Sequence, residues 1–240
     1  MAPTLPLALP EPSELMASLR SKLPLFGQVE WFAHTESTNT DLLIKTRTSD
    51  LRLDRPWLLG AHRQERGHGR AGRAWRNRPG ASLTFSCAFD VFLPSRALPA
   101  LSPLAGVAAC EALRGLLPLV PRARLTLKWP NDLQWDGGKL GGILVEITRA
   151  GTSQLSNDHH VAIIGIGLNL GDATALSRSL DRPIADWRAI CALAPSVAEY
   201  PASTLVARIA QAWYDNINLV IRQGFVEFPA RFAQVDWLDG

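Results

Sequence analysis

The sequence has few of the features that define several common classes of protein. It contains only three cysteines, Cys87, Cys110 and Cys191, and no two of them have the CxxC spacing of a zinc or redox site. We therefore expect small buried thiols and a reducing compartment rather than a disulfide framework. No apolar run approaches the length of a membrane span, and the N-terminus lacks the pattern of a signal peptide. These absences predict a cytoplasmic protein without membrane contact.

The common nucleotide-binding fingerprints are also missing. No GxxxxGK[ST] phosphate loop occurs, and Gly165-Ile166-Gly167 is followed by Leu170 where a dinucleotide fingerprint needs its third glycine. The formal net charge of +3 is too small to identify a partner, and 240 residues with 47% hydrophobic content suit one principal domain. A bound nucleotide would therefore need another loop for its phosphates.

One segment is rich in the residues that such a loop requires. The stretch 63–78 contains six arginines and three glycines, and it lies between the apolar segments 56–61 and 82–89, which have the composition of core strands. Glycines allow backbone N–H groups to turn towards an anion, and guanidinium groups bind its oxygens in pairs. A solvated basic loop is the ordinary alternative. Anchoring by two strands favours phosphate binding.

The remaining pattern predicts an α+β fold with a mixed β-sheet backed by helices. The predicted elements are a helix at 13–20 capped by Ser13, a strand at 29–33, a helix opening at Asp41, a helix at 101–117, short strands within 125–135 broken at Pro130, a hairpin turn at Gly137-Gly138, strands at 139–147 and 161–170, and a helix at 205–221. The strand at 161–170 is apolar on both faces, which predicts a central position in the sheet.

Three short polar motifs each have an ordinary structural interpretation beside a functional one. Lys139 is either a solvated turn lysine or a cation that reaches a carboxylate or an α-phosphate. Asn131-Asp132 is either turn chemistry or a carboxylate and an amide for a metal-bound phosphate or an incoming amine. Trp75 either packs on a bound ligand or anchors its loop in the core.

Taken together and in this order, the motifs resemble the biotin protein ligases. Glu36-Ser37-Thr38-Asn39 is similar to the family's biotin motif, and Gln64 through Trp75 is similar to its GRGRxGRxW adenylate loop. The segments 128–132, 139–146 and 165–169 then follow in the family's order, so the resemblance covers about residues 29 to 170. It implies the fold shared by class II aminoacyl-tRNA synthetases and biotin protein ligases.

The resemblance also implies an activity and a set of site residues. Biotin is activated with ATP as biotinyl-5′-AMP and is then transferred to a lysine of the biotin carboxyl carrier domain of acetyl-CoA carboxylase, with Mg2+ accompanying ATP and no tightly bound metal. The implied catalytic residues are Lys139, Arg70 and Asp132. The implied biotin site comprises Ser37, Thr38, Asn39, Gln64, Gly67, His68, Lys139, Gly141, Gly142 and Gly165. The implied ATP or adenylate site comprises His68, Gly69, Arg70, Arg73, Trp75, Asn131, Lys139 and Asn169. Metal ligands stay unassigned.

The sequence departs from the family pattern at two places. His68 stands where the family's loop usually has arginine, and imidazole cannot form a two-pronged grip on phosphate. The family continues into a small β-barrel, whereas this sequence stops at Gly240. We therefore expect a flexible segment at 1–12, a catalytic domain at 13–235, and at 236–240 only the start of an absent or truncated barrel, with no DNA-binding domain before residue 13.

Two other functions compete with biotin ligation. A lipoate or octanoate ligase or transferase shares the fold, but it should lack the arginine-glycine loop in this form. A nucleic-acid-binding module would use that loop as a backbone clamp, but it would need basic and aromatic residues spread across one face. We therefore expect no nucleic-acid partner. A homodimer formed through an exposed sheet edge is a family expectation.

Overall fold

The structure is a computed structural model that describes residues 9–48, 54–76, 80–149 and 155–239. Residues 77 and 78, at the end of the predicted phosphate loop, lie outside these ranges, as does most of the predicted N-terminal segment. Within the described part, Leu9 packs against the core, and the carbonyl of Pro10 accepts a hydrogen bond from His62 Nε2 at 2.9 Å. Ordered contacts therefore begin before the first helix.

A seven-stranded mixed sheet forms the centre of the molecule, as the sequence predicts. Its strands are β1 (Gln28–Thr35), β2 (Trp57–Gln64), β3 (Ser82–Phe92), β4 (Leu125–Lys128), β5 (Asp132–Trp135), β6 (Gly138–Arg149) and β7 (His159–Asn169). The order across the sheet is β1-β2-β3-β7-β6-β5-β4, and only the β1–β2 pair is parallel. Every residue of β7 is buried, which confirms its predicted central position.

Helices cover the two faces of this sheet unequally. The helices are α1 (Pro12–Lys22), α2 (Thr38–Thr48), α3 (Leu101–Arg114), α4 (Leu119–Arg122), α5 (Ala173–Leu180), α6 (Trp187–Leu193), α7 (Ala202–Gln223) and α8 (Phe228–Ala233). Helices α1, α3 and α7 pack with Leu58 and Ile164 in the large core on one face. Leu42 of α2 packs with Leu59 and Ile163 in a small cluster on the opposite face. The side covered by α2 therefore has room for a cavity.

Three helices begin earlier than the sequence predicts, among them α7, which starts at Ala202 rather than at residue 205. Helix α1 starts at Pro12, so Ser13 lies inside it and does not cap it; Glu11 occupies the N-cap position without a side-chain hydrogen bond. Proline suits the first helical position because its missing N–H has no partner there in any case. Helix α2 starts at Thr38 rather than Asp41, and its backbone N–H at Thr38 donates to Gln64 Oε1 at 2.8 Å. A side chain from another strand caps this helix, which local sequence cannot show.

The hairpin turn between β5 and β6 lies one residue earlier than predicted. Trp135 pairs with Gly138, so Asp136 and Gly137 form the turn, with φ of 50° and 75°. Positive φ at both central residues defines the type I′ turn, for which Asp-Gly is a preferred sequence. Gly138 belongs to the strand, where a Cβ would lie 3.0 Å from the backbone nitrogen of Ala185. Its missing side chain admits the segment that follows α5.

The residues after α8 pair with the edge strand β4. The backbone N–H of Leu127 donates to the Val235 carbonyl at 2.7 Å, and Arg114 donates to the Gln234 carbonyl at 2.6 Å.

Among the helices that the structure describes, none combines the length and the apolar character needed to cross a membrane.

Candidate active site

A cavity of about 480 Å3 opens on the α2 face of the sheet, beside the predicted phosphate loop. This volume lies within the range of roughly 300–1,000 Å3 that is usual for small-molecule sites. Most of the predicted site residues line it: Ser37, Thr38, Asn39, Gln64, His68, Gly69, Arg70, Arg73, Trp75, Asn131, Asp132, Lys139, Gly142 and Gly165. Segments that are up to 128 residues apart in sequence, from 37 to 165, thus meet at one place.

Three predicted site residues do not line the cavity. Asn169 is 3% exposed, and its Nδ2 donates to the carbonyls of Lys139 and Ala185 at 3.1 and 3.2 Å, so it fixes the strand that carries the lysine. A Cβ on Gly141 would meet the Gly167 carbonyl oxygen at 2.8 Å, inside the sheet. The Gly67 carbonyl accepts a hydrogen bond within the loop. These three residues instead contact the strands and the loop that carry the lining residues.

The N-terminus of α2 forms a polar floor at one end of the cavity. Gln64 Oε1 accepts from the Thr38 hydroxyl at 3.1 Å, and the Thr38 and Ser86 hydroxyl oxygens lie 2.7 Å apart. Ser86 in turn donates to Asn39 Oδ1 at 2.5 Å, and Asn39 Nδ2 donates to Glu146 Oε2 at 2.8 Å. These side chains therefore hold one another in fixed orientations. The floor offers donors and acceptors to a small polar head group.

The arginine-glycine loop is folded as a small hairpin over the cavity. Its N–H groups close it twice: Gly69 donates to the Arg73 carbonyl at 2.7 Å and Trp75 donates to the Gly67 carbonyl at 2.8 Å. A short 3-10 turn, Arg70–Gly72, forms its tip, with positive φ at Ala71 and Gly72. The hairpin places the arginines of its tip at the rim.

Trp75 is a half-buried wall of the cavity and not a member of the main core. A Cβ on Gly167 would overlap its indole ring, so the glycine makes room for the tryptophan. Lys139 Nζ lies 5.9 Å from the centre of the same ring. The indole Nε1 is buried without a hydrogen-bond partner among the described residues. A Cβ on Gly167 would lie 2.6 Å from this nitrogen, so the unpaired donor packs against strand β7.

Charged side chains gather at the opposite wall. Lys139 Nζ donates to Asp132 Oδ1 at 2.6 Å, with the two side chains 16% and 28% exposed. Arg70 donates to Asn131 Oδ1 at 3.2 Å, and Asn131 Nδ2 donates to the Ile143 carbonyl at 2.6 Å. Lys139 is therefore held in an ion pair at the cavity wall and is not a solvated turn lysine, while its contact with a ligand phosphate or carboxylate stays a prediction. The amide of Asn131 ties the loop to β6.

The balance of charge favours an anionic ligand. Four cationic side chains line the cavity, Arg70, Arg73, Lys139 and Arg182, while Asp132 is the single carboxylate among the described lining residues. Arg182 was missed in the sequence because it follows α5, far from every motif. The other lining residues without a prediction are Ala71, Ala74, Trp129, Pro130, Ile143, Leu144, Ile166 and Gly167. Most of them are next in sequence to predicted residues, and this adjacency is the signal that could have identified them.

A glycine-lined sheet, a polar helix end and an arginine-rich hairpin thus meet at one cavity, and its charge suits an anionic ligand. The sequence pattern of the Biotin/lipoate A/B protein ligase family matches residues 31–169, which is more than half of the chain. The chain belongs to this family.

Named relatives agree with this membership. The Mycobacterium tuberculosis protein named biotin--[acetyl-CoA-carboxylase] ligase is 36% identical over 161 residues, covering 65% of this chain and 56% of that protein. The Escherichia coli bifunctional ligase/repressor BirA is 28% identical over 230 residues, covering 95% of this chain and 66% of that protein. The chain thus spans little more than half of the first of these relatives and two thirds of the second.

Solved structures show the same fold. Aquifex aeolicus biotin protein ligase in complex with biotin and ATP superposes with a TM-score of 0.64 at 23% identity, covering 88% of this chain and 79% of that one. The Leishmania major biotin protein ligase in complex with biotinyl-5-AMP gives a TM-score of 0.62 at 23% identity, covering 87% and 81%. At these identities the likeness concerns the fold of the mixed sheet and its helices.

Proposed function

We propose that this protein is an ATP-dependent biotin ligase. One observation carries the proposal: the polar floor at α2 and four cationic side chains, Arg70, Arg73, Lys139 and Arg182, line the same cavity. An acid and a nucleotide phosphate would therefore meet there. The names of the relatives, and the complexes of the solved structures with biotin, ATP or biotinyl-5-AMP, support this assignment.

The floor would hold the ureido head of biotin. Ser37, Thr38 and Asn39 offer hydroxyl and amide groups there, and all three are at most 4% exposed. The apolar body of biotin would lie along Gly142 and Gly165, beside the sheet. A neutral head group suits this end because the cations lie at the other end of the cavity.

The first chemical step would be adenylation. A biotin carboxylate oxygen attacks the α-phosphorus of ATP, the bond to the β-phosphate breaks, and pyrophosphate leaves with its electron pair. Negative charge increases on the α-phosphate, where Lys139, Arg70 and Arg73 would stabilise it. Lys139 must then turn from Asp132 towards the phosphate, a short movement of one flexible side chain.

The second step would be transfer to an amine. A lysine Nζ of the acceptor attacks the acyl carbon, the bond to the adenylate oxygen breaks, and AMP leaves. The attacking amine must lose a proton, and Asp132 is the carboxylate placed to accept it once Lys139 has moved. Arg70 and Trp75 would keep water from the mixed anhydride by holding the hairpin closed.

Mg2+ would accompany ATP. The described residues contain no cluster of three or more His, Cys, Asp or Glu side chains that could hold a metal. Asp132 beside Asn131 fits an ion that keeps several waters and binds phosphate oxygens with one carboxylate. The ion would neutralise phosphate charge, while the residues above position the reactants.

The acceptor would be the biotin carboxyl carrier domain of acetyl-CoA carboxylase, which agrees with the names of the M. tuberculosis and Paracoccus denitrificans relatives. We further propose a cytoplasmic location, in keeping with the three free, buried thiols. A homodimer through the edge strand β1 and the absence of a nucleic-acid partner complete the proposal, as does the assignment of 13–235 to a catalytic domain.

Calorimetry with biotin, with and without a non-hydrolysable ATP analogue, tests this function. We expect biotin to bind alone, and to bind more tightly when the ATP analogue is present. With ATP in place of the analogue, pyrophosphate should be released only when biotin is also present. Lipoate and octanoate serve as competitors. Tighter binding of either acid than of biotin, or biotin-independent pyrophosphate release, would contradict the assignment.

Lys139→Ala should abolish biotin-dependent pyrophosphate release while leaving the melting temperature unchanged. Removal of one group that stabilises transition-state charge typically costs about a hundred- to a thousandfold in rate. Lys128→Ala is the matched control, because Lys128 lies on the edge strand β4, two strands from β6, and contacts Trp237 rather than the cavity. Release at the parent rate by Lys139→Ala would remove this lysine from the mechanism.

A further inference from the structure

We propose that Glu146 is a positioning residue that joins the two halves of this site, since it hydrogen-bonds Asn39 of α2 and also lies beside His68 of the hairpin. Glu146 does not line the cavity, so it would act through those two side chains. The proposal rests on the proposed function, because its kinetic consequences concern biotin and biotinyl-adenylate.

The orientation of the Asn39 amide depends on Glu146. Asn39 Oδ1 accepts from Ser86 Oγ at 2.5 Å, and its Nδ2 donates to Glu146 Oε2 at 2.8 Å. A carboxylate only accepts hydrogen bonds, so a flipped amide would place two oxygens against each other. A Cβ on Gly165 would overlap Asn39 Oδ1, which shows how closely the amide is seated against the strand.

The same carboxylate oxygen faces the hairpin. Glu146 Oε2 lies 3.8 Å from His68 Nε2, and both side chains are about 30% exposed. His68 Nδ1 lies 3.4 Å from the Arg66 carbonyl, which can only accept, so the ring presents Nε2 towards Glu146. With the ring protonated on both nitrogens, a partly exposed pair of this kind contributes roughly two- to fivefold to an equilibrium constant. That is enough to bias a small hairpin towards its closed position.

The position of Glu146 in the sheet makes it a rigid link. It lies within β6, opposite Ile163 of the central strand β7, and β6 also carries Lys139 and Gly142 of the cavity wall. Side chains on strands are held more accurately than side chains on loops. One carboxylate on a fixed strand therefore aligns a helix end and a mobile hairpin with the same lysine.

The test compares Glu146→Ala, Glu146→Gln, His68→Ala and the double variant His68→Ala/Glu146→Gln. Glu146→Ala should weaken biotin binding about tenfold, because the Asn39 amide loses a charged acceptor. Glu146→Gln keeps an acceptor, so biotin affinity should stay within about threefold of the parent. The lifetime of bound biotinyl-adenylate should shorten equally in Glu146→Gln, His68→Ala and the double variant, because all three remove the same contact.

Glu30→Gln is the matched control, since Glu30 is 33% exposed and pairs with Lys45 at 2.6 Å, outside the cavity. It should leave both quantities unchanged, and all variants should keep the parent melting temperature. Parent-like biotin affinity in Glu146→Ala, no rescue by glutamine, or multiplying effects in the double variant would overturn the inference.

A measurement without ligand separates this inference from the proposed function. The side-chain amide protons of Asn39 should exchange slowly in the parent and in Glu30→Gln, and quickly in Glu146→Ala, when observed by NMR. A parent protein that fails to bind biotin would overturn the proposed function. The exchange rates would then decide the role of Glu146: an unchanged rate in Glu146→Ala rejects it, and an increased rate supports it.

Discussion

Gly165 and Gly167 show how single residues shape this cavity. The family resemblance places Gly165 in the biotin site. The structure adds that a Cβ at Gly165 would overlap Asn39 and a Cβ at Gly167 would overlap Trp75. The space at these positions already belongs to two side chains of the protein. Gly142 differs in its neighbour: a Cβ there would lie 3.1 Å from Lys139 Nζ, in the cavity wall that carries the charged side chains.

Cys110 gives a prediction for the dependence of stability on pH. Burial raises the pKa of its thiol to about 12, with a smaller opposing effect of Arg114. The thiol of an unfolded chain ionises near pH 8.5. Its contribution to stability is therefore fully present below that pH and is lost as the pH rises towards the folded value. From pH 7.5 to 9.5 the free energy of unfolding should fall by about 1 kcal/mol because of this one thiol.

Urea denaturation of the parent and of Cys110→Ala at pH 7.5 and 9.5 measures this effect. Cys110→Ala should be less stable at the lower pH, because the side chain is buried and close-packed, but its loss of stability between the two pH values should be smaller. Burial also raises the pKa of Cys87, so Cys87→Ala should behave in the same way. If the free energy of unfolding falls equally in the parent and in both variants between the two pH values, the buried thiols are not the cause.

The hairpin 67–75 is the element whose geometry departs furthest from regular structure. Ala71 has φ 56° and Gly72 has φ 69°, whereas Gly69 has an extended backbone with φ −113°. A Cβ on Gly72 would meet no atom within 4 Å, so a substitution there costs only backbone strain. This cost is roughly 1–2 kcal/mol for an alanine in the left-handed region.

We therefore expect Gly72→Ala to open the empty hairpin about five- to thirtyfold more often than the parent, which follows from that strain. Gly69→Ala is the control, because its nearest atom would be the Arg73 carbonyl oxygen at 3.8 Å and its φ suits any residue. Rates of tryptic cleavage at Arg70 and Arg73 report the opening. Equal rates in the two variants would show that the tip is not strained by a side chain.

The elements that sequence predicted well are those with a local signal. Strand β7 was visible as a continuous apolar run, and the hairpin was visible as glycines among arginines. Ser86 could not be recognised, because a serine inside an apolar strand looks like an ordinary core residue until α2 is placed against it. Glu146 carries no local signal either, since its partners Asn39 and His68 are 107 and 78 residues away in sequence. Arg182 lines the cavity but lies outside every motif.

The start of α2 illustrates the same limit. Its hydroxyl and amide residues predicted a capped helix at Asp41, but the helix begins at Thr38 because Gln64, from β2, accepts its first N–H. Thr35, at the end of β1, also donates to the Asp41 carboxylate. Ser37 Oγ also accepts from the Thr40 N–H at 3.5 Å, so the cap combines a local contact with a tertiary one. Such contacts decide both the boundary of the helix and the geometry of the site that it forms.

For the whole molecule, the unequal covering of the sheet predicts unequal local stability. Helices α1, α3 and α7 share one large core with the sheet, whereas α2 alone contributes to the small cluster on the site face. Regions with few buried apolar contacts open at lower free energy. Amide hydrogens of α2 and the hairpin should therefore exchange well before those of α3 and β7.

Hydrogen exchange followed by mass spectrometry measures this order, with and without biotin and an ATP analogue. Ligands should slow exchange at α2 and at 64–76, while exchange in α7, which lies on the far face, should change little. Exchange in α2 as slow as in α7 before any ligand is added would contradict the unequal stability.

The two glycines of β7 have a consequence for the accuracy of the site as a whole. They stand two residues apart on one face of the central strand, so Asn39 and Trp75 meet that strand about 7 Å apart along its length. The helix and the hairpin are thus both positioned against the same strand, although they come from distant parts of the chain. The spacing between the head-group end and the phosphate end is set by covalent bonds. It should persist when the surrounding loops vary, and it would select an acid by the length of its chain.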